Sequence, residues 1–181
     1  MRWIGLALLA ALSSCKKTEA PPAAPCRATA ETPLALDAML RDPACRTERG
    51  DMSHLRPSVP EGVEVSVSAP DGKIRAGEPN ELTLVLANRT DRIQSIVMQP
   101  AERAPGTPHA EIRLSDQSAA PDRRDGGFHD LARFEIEPRA EARGSVRYVP
   151  SRELSVGSYT LEVSLPGLQR SSTTRVSVVR E

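Results

Sequence analysis

From residue 61 onward, apolar side chains recur at every second position, and this period of two limits the fold more than any other feature of the chain. Such alternation is typical of β-strands that bury one face and expose the other. The clear runs are residues 63–67, 82–86, 134–136, 146–148, 159–165 and 176–178, and weaker ones are 93–98 and 110–114. We therefore predict a mainly β domain over residues 61–181.

Turn-forming residues separate these runs. Glycine, proline, asparagine and aspartate mark the breaks at residues 70–72, 88–91, 105–106, 126–127, 138, 150 and 166–167. No long helical period lies between the runs. Seven or eight short strands with turns at this spacing predict an antiparallel β-sandwich.

Two of the runs carry a family resemblance. Residues 81–90, ELTLVLANRT, resemble the second strand of many bacterial immunoglobulin-like domains, in which an alternating run ends at Asn before a polar turn. Residues 154–163, LSVGSYTLEV, resemble their penultimate strand, in which a glycine precedes a tyrosine. The resemblance implies an immunoglobulin-like β-sandwich with Tyr159 in the tyrosine-corner position, its ring in the core and its hydroxyl bonded to upstream backbone. Such sandwiches host unrelated functions, so the resemblance implies an architecture and no activity.

The start of the chain has the pattern of an export signal. A positive Met1-Arg2 precedes an apolar stretch over residues 3–12, which is too short to cross a bilayer, since that takes about 20 apolar residues. Leu12-Ser13-Ser14-Cys15 then resembles the lipobox of bacterial lipoproteins. The resemblance implies removal of residues 1–14, diacylglycerol on Cys15 and a lipid membrane as partner. An ordinary secretory signal cut near the same small residues is the alternative.

The residues after Cys15 predict where the protein lies and how far it reaches. Lys16 rather than Asp follows the cysteine, which by the enterobacterial sorting pattern favours the outer membrane over the inner, with the periplasmic face assumed. Residues 15–25 contain three prolines and no apolar period. We therefore expect an extended tether of about 30 Å, with the folded part clear of the membrane in the cell envelope.

Residues 26–45 are bounded by the two cysteines that remain once Cys15 is lipidated. In an oxidising compartment such a pair is most simply a disulfide, so we predict a Cys26–Cys45 bond. Between them Thr32-Pro33 is typical of a helix start, residues 36, 39 and 40 form an apolar stripe, and Asp42-Pro43 is a stop signal. We predict a short disulfide-clipped helical segment here, followed by a polar, proline-bounded linker over residues 46–60.

Charge and motif content exclude several classes of function. The chain carries 24 basic and 24 acidic residues, which leaves no basic footprint for nucleic acid. It lacks a nucleophile elbow, a Ser-x-x-Lys pair and a phosphate-binding glycine loop, so we predict no enzyme activity and no cofactor. His54, His109 and His129 stand apart in predicted loops without metal-ligand spacing, so no metal site is predicted.

The two long loops are the remaining candidate contact surfaces, since loops at the end of a sandwich carry recognition in this architecture. They cover residues 99–109 and 115–130, and the second contains Phe128 and His129. We predict a non-enzymatic lipoprotein that binds or scaffolds another envelope protein. One alternative is an envelope protease inhibitor, because residues 99–106 form a proline-stiffened loop and small sandwiches resemble a bacterial proteinase-inhibitor family. Another is a metal or small-ligand carrier that uses His109 and His129.

Overall fold

The computed structural model describes residues 26–46, 55–102, 104–115, 130–167 and 171–180. The predicted signal sequence, Cys15, the predicted tether, residues 47–54 of the predicted linker, and the loop residues Phe128 and His129 lie outside the described residues. The described part is mainly β. No helix in it has the length and apolar character needed to span a membrane.

The elements of the described part are as follows. The strands are β1 (Arg27–Ala28), β2 (Leu34–Ala35), β3 (Val63–Ser68), β4 (Lys73–Arg75), β5 (Asn80–Asn88), β6 (Gln94–Met98), β7 (Pro100–Ala101), β8 (Ala104–Pro108), β9 (Glu111–Leu114), β10 (Ala132–Ile136), β11 (Glu141–Tyr148), β12 (Gly157–Ser164) and β13 (Ser172–Val179). The helical elements are α1 (Leu36–Arg41) and the 3-10 turns Pro43–Cys45 and Pro70–Gly72. Every alternating run predicted from the sequence coincides with a strand, except that residues 93, 110 and 165 at the ends of three runs lie just outside it.

Among the described residues these strands form three larger sheets and a hairpin. The sheet orders are β1-β10-β6, β2-β11-β5-β3 and β4-β13-β12-β9, and β7 pairs with β8. The long strands pair antiparallel, as in β5 with β11 and β12 with β13. The short strands β1, β2 and β4 pair in parallel with β10, β11 and β13. β1 and β2 therefore each cover one edge of a sheet, which protects those two edges from pairing with other chains.

Burial follows the predicted alternation. In β5, Leu82, Leu84 and Leu86 are fully buried, whereas Glu81 and Thr83 are exposed. Burying an apolar side chain of this size contributes about 1.5–3 kcal/mol. The core draws on α1 and all three larger sheets and includes Leu36, Met39, Leu40, Ile74, Leu82, Leu84, Leu86, Ile96, Phe134, Leu161, Val163 and Val176. The helical segment and the sheets therefore share one hydrophobic core.

The start of α1 differs from the prediction. The helix begins at Leu36 without a side-chain cap, so the prediction that Thr32 starts it is wrong. Strand β2 lies immediately before α1 and is held extended by pairing with β11, which leaves no room for an earlier helical turn. Thr32 instead donates its N–H to Thr29 Oγ1 at 3.0 Å.

The end of α1 agrees with the prediction. The helix ends at Arg41, and Asp42 then caps the 3-10 turn by accepting the Ala44 N–H at Oδ1, at 2.9 Å. Pro43 opens that turn, where its missing N–H costs nothing. The stop signal in the sequence is therefore confirmed.

Helix α1 approaches β11 most closely at a glycine. A Cβ atom placed on Gly144 would lie 2.7 Å from Leu36 Cβ and 2.9 Å from Asp37 Oδ1. Asp37 Oδ1 also accepts the Ser145 N–H at 3.3 Å. The helix can dock in this position because residue 144 has no side chain.

Asn88, at the end of β5, joins three elements. It is fully buried, and its Nδ2 donates to Ile136 O at 2.9 Å and to Arg92 O at 2.7 Å. Its Oδ1 accepts the Thr90 N–H at 2.9 Å. The predicted polar turn after Asn88 therefore brings together the end of β5, the approach to β6 and the end of β10.

Tyr159, near the start of β12, makes the predicted hydrogen bond. Its hydroxyl donates to Ser155 O at 2.9 Å, four residues upstream. The ring is half-buried against the core, less deeply than expected. The bond fixes the end of the β11–β12 connection onto the strand that follows it.

Candidate contact surface

The predicted Cys26–Cys45 disulfide is present, with a Cα–Cα distance of 5.5 Å. It joins the start of β1 to the 3-10 turn after α1. Glu135 N–H donates to Cys26 O at 2.9 Å, and Arg46 forms a single bridge with Ala132. The disulfide therefore lies beside β10, and its Cys45 side is next to the first residue of that strand.

The loop over residues 99–109 is a hairpin and not an open loop. In it, β7 pairs with β8, and His109 donates its N–H to Gln99 O at 2.7 Å. The hairpin packs against α1 at Gly106, which is buried and has a φ of +93°. A Cβ on Gly106 would lie 2.1 Å from Arg41 Nε, so the arginine side chain crosses directly over the glycine. One arm of the hairpin is thus fixed to the helix, while Glu102 at its tip and His109 at its base are exposed.

The loop over residues 115–130 is described only at its two ends. Ser115 donates its N–H to Thr160 O at 2.9 Å, and Asp130 leads into β10 with a φ of +58°. Phe128 and His129, the candidate contact residues, lie outside the described residues. Their role in contact stays a prediction.

Both candidate loops reach the same end of the β6–β10 pair. β6 and β10 run antiparallel with Met98 opposite Ala132. The first loop leaves β6 just after Met98, and the second enters β10 just before Ala132. Arg46, next to Cys45, bridges Ala132, so the clipped segment lies beside the points where the two loops join β6 and β10. We call this region the disulfide end.

The electrostatics of the disulfide end are mixed in sign. Arg46, Glu102 and Asp130 are exposed there. Farther along β10, Arg27 pairs with Glu135 and lies 3.7 Å from Glu137, with these side chains about a third exposed. Ion pairs this exposed contribute little, at most about 1 kcal/mol. Among the described residues of this end, acidic and basic side chains are therefore mixed and neither sign dominates.

The described residues contain no cluster of three or more His, Cys, Asp or Glu side chains placed to hold a metal. His109 is an exposed residue at the base of the hairpin, and His54 and His129 lie outside the described residues. Half-burial of the Tyr148 side chain removes water from its hydroxyl and raises its pKa. Tyr148 ends β11, opposite Asn80 at the start of β5.

Sequence reasoning missed two residues that shape this surface. Arg41 holds the hairpin, and Asp37 anchors α1 to β11. The signal available in the sequence was the pair of glycines that each residue covers, Gly106 and Gly144. A glycine within a strand often marks the close approach of another group.

Comparison with known proteins gives only distant similarities. No known sequence family and no curated protein matches the chain. A β-glucosidase from Erythrobacter marinus aligns at 15% identity and a TM-score of 0.38, over 65% of this chain and 16% of the enzyme. A CARDB domain from Pyrococcus furiosus aligns at 15% identity and a TM-score of 0.35, over 65% of this chain and 94% of the domain. An alkylpurine DNA glycosylase from Pseudomonas fluorescens aligns at 13% identity and a TM-score of 0.35, over 65% of this chain and 30% of the glycosylase. Similarities at this level assign neither a fold family nor an activity.

Proposed function

We propose that this chain is a non-enzymatic lipoprotein of the cell envelope, anchored through Cys15, that binds or scaffolds another envelope protein at its disulfide end. In this proposal its β part is an immunoglobulin-like sandwich of seven or eight principal strands. The anchor rests on the lipobox resemblance, and the outer membrane is the expected location because Lys16 follows the cysteine. The Tyr159–Ser155 hydrogen bond and the shared core of the sheets support the sandwich.

The observation that carries the proposed contact is the convergence at the disulfide end. The two long connections join β6 and β10 at the same end of this pair, beside the clipped segment. Cys26, the first described residue, belongs to the clipped segment, so the proposed tether before it would hold this end toward the membrane. A partner in or on the same membrane would then meet the exposed tip of the hairpin at high effective concentration.

The packing of the hairpin does not favour the protease-inhibitor alternative. An inhibitory loop must present an exposed, extended segment to an active site. Here Gly106 is buried beneath Arg41, and Pro108 is buried as well. No specific observation favours the carrier alternative, so we retain a single proposal.

Site-specific crosslinking in living cells tests the proposal. A photo-crosslinking residue replaces Glu102 at the disulfide end or Asp91 in the turn at the other end of β6, and both positions are exposed. We expect one envelope protein to crosslink several-fold more from position 102 than from position 91. Equal yields from the two positions, or none from either, would contradict the proposed contact.

A Cys15→Ala variant separates the anchor from the contact. Labelled palmitate should enter the wild-type chain and not the variant, and the crosslink from position 102 should fall with the loss of the anchor. Palmitate labelling that survives Cys15→Ala would show that the anchor is assigned to the wrong residue.

A further inference from the structure

Strand β9 forms one edge of the β4-β13-β12-β9 sheet and pairs only with β12 among the described residues. In an antiparallel ladder, alternate residues direct their N–H and C=O groups toward the partner strand and away from it. Ser115 N–H donates to Thr160 O, and Leu114 lies opposite Leu161 in the same register. The peptide groups of Glu111 and Arg113 therefore face β12, and those of Ile112 and Leu114 face outward.

The side chains of β9 divide between the two faces of the sheet. Leu114 is buried and Ile112 packs against the core, so both lie on the inner face. Glu111 and Arg113 lie on the outer face, with Arg113 Nη2 3.3 Å from Glu111 Oε2. The open edge thus carries the acidic Glu111 just before Ile112 and the basic Arg113 just after it.

This arrangement is complementary to itself. If two copies of β9 pair antiparallel with Ile112 opposite Ile112, the outward N–H and C=O of each Ile112 bond to those of the other. Glu111 of each copy then lies opposite Arg113 of the other, on the same face of a continuous sheet. The register with Ile112 opposite Leu114 would place Arg113 opposite Arg113, where like charges repel. Charge therefore selects the register with Ile112 opposite Ile112.

We propose that β9 is a self-association edge, and that a second copy of this chain pairs with it around a two-fold axis at Ile112. The pairing extends the sheet from one copy into the other and satisfies the open backbone groups of both. It does not depend on the lipid anchor, and it uses residues of β9, which belong to neither candidate loop.

Charge reversal tests this edge, with the full chain purified in mild detergent and its monomer–dimer equilibrium measured by sedimentation. Glu111→Arg and Arg113→Glu each place like charges across the two-fold axis, and each should weaken the dimer by about tenfold or more. The double variant Glu111→Arg/Arg113→Glu should restore it. Lys73→Glu, exposed on β4 at the opposite edge of the sheet, is the matched control and should leave the dimer unchanged.

Mixing the two single variants separates the contact between chains from the Glu111–Arg113 pair within one chain. Each variant alone repels itself, but the mixture pairs opposite charges across the axis, so a heterodimer should form. Thermal unfolding of each variant checks that the monomer remains folded. If the mixture behaves as the sum of two monomers, the proposal is overturned.

A disulfide crosslink between two copies tests the position of the two-fold axis directly. Residues opposite each other in a hydrogen-bonded antiparallel pair have Cα atoms about 5.5 Å apart, within the range of a disulfide. Ile112→Cys, in a Cys15→Ala background, should therefore oxidise to a covalent dimer, and Lys73→Cys in the same background should not. A chain that stays monomeric and crosslinks from position 112 to a different envelope protein overturns the proposal and assigns the edge to a segment of that protein.

Discussion

Substitution of Gly144 by alanine should test the packing of α1 on β11, because the added methyl group would clash with the helix. The added Cβ would lie 2.7 Å from Leu36 Cβ, closer than two such atoms can approach, and 2.9 Å from Asp37 Oδ1. Leu36 Cβ is fixed to the helix backbone, so the strain can be relieved only by moving α1. Overpacking of this kind costs about 1–3 kcal/mol. The alanine also restricts the unfolded chain, which returns about 0.4–1 kcal/mol. We expect a net loss of about 1–2 kcal/mol in the free energy of unfolding.

Gly157→Ala is the matched control. Gly157 also lies in a strand, but a Cβ there would meet only Tyr159 Cε2, at an ordinary 3.5 Å. This variant should be unchanged or stabilised by about 0.4–1 kcal/mol. Urea unfolding followed by circular dichroism measures both, with a midpoint for Gly144→Ala roughly 0.5–1 M below that of the wild type. If the two alanine variants unfold at the same urea concentration, α1 does not rest on β11 as described.

Three further predictions concern the disulfide and the two tyrosines. Replacing Cys26 and Cys45 together by alanine should lower the free energy of unfolding by about 3 kcal/mol, because the bond restricts the unfolded chain; a loss well below 1 kcal/mol in urea unfolding would contradict this. Tyr159→Phe removes the hydrogen bond to Ser155 and should cost about 1 kcal/mol, measured in the same way, and a variant of unchanged stability would show that water replaces the bond fully. Burial raises the pKa of Tyr148 above its ordinary value of 10.0, so the unfolded chain loses this proton before the folded chain does. The stability from this residue is therefore full below that ordinary pKa and is lost as pH rises through the folded pKa; unfolding measured up to about pH 11 should show a smaller alkaline decline in Tyr148→Phe than in the wild type.

Local patterns account for much of the fold. The alternating apolar residues place each principal strand, and the turn residues at Asn88 and at Asp42-Pro43 mark real boundaries. The disulfide and the Tyr159 hydrogen bond also follow from the sequence, the first from the isolated cysteine pair and the second from the family resemblance. These features depend on residues close in sequence or on a chemistry with one available partner.

The candidate contact surface could not be predicted from local sequence patterns to the same extent. The sequence indicated that residues 99–109 form a surface connection, but not that the segment folds into a hairpin or that Arg41 holds it at Gly106. That contact joins residues far apart in the chain, and no local pattern encodes its partner. Gly106 alone predicts only that another group approaches the backbone closely at that position.

By itself, the sequence determined the chain's periodicity, its turns and its single disulfide, because each of these is set by residue type and spacing. Only the tertiary structure decided where α1 begins, since β2 must first pair with β11. Tertiary structure also decided that the two candidate loops join the same end of the β6–β10 pair and that, in the part of the chain that the structure describes, β9 lies at a sheet edge. Strand order and edge position arise from pairing between distant segments, and alternation looks the same whether a strand lies at the centre of a sheet or at its edge.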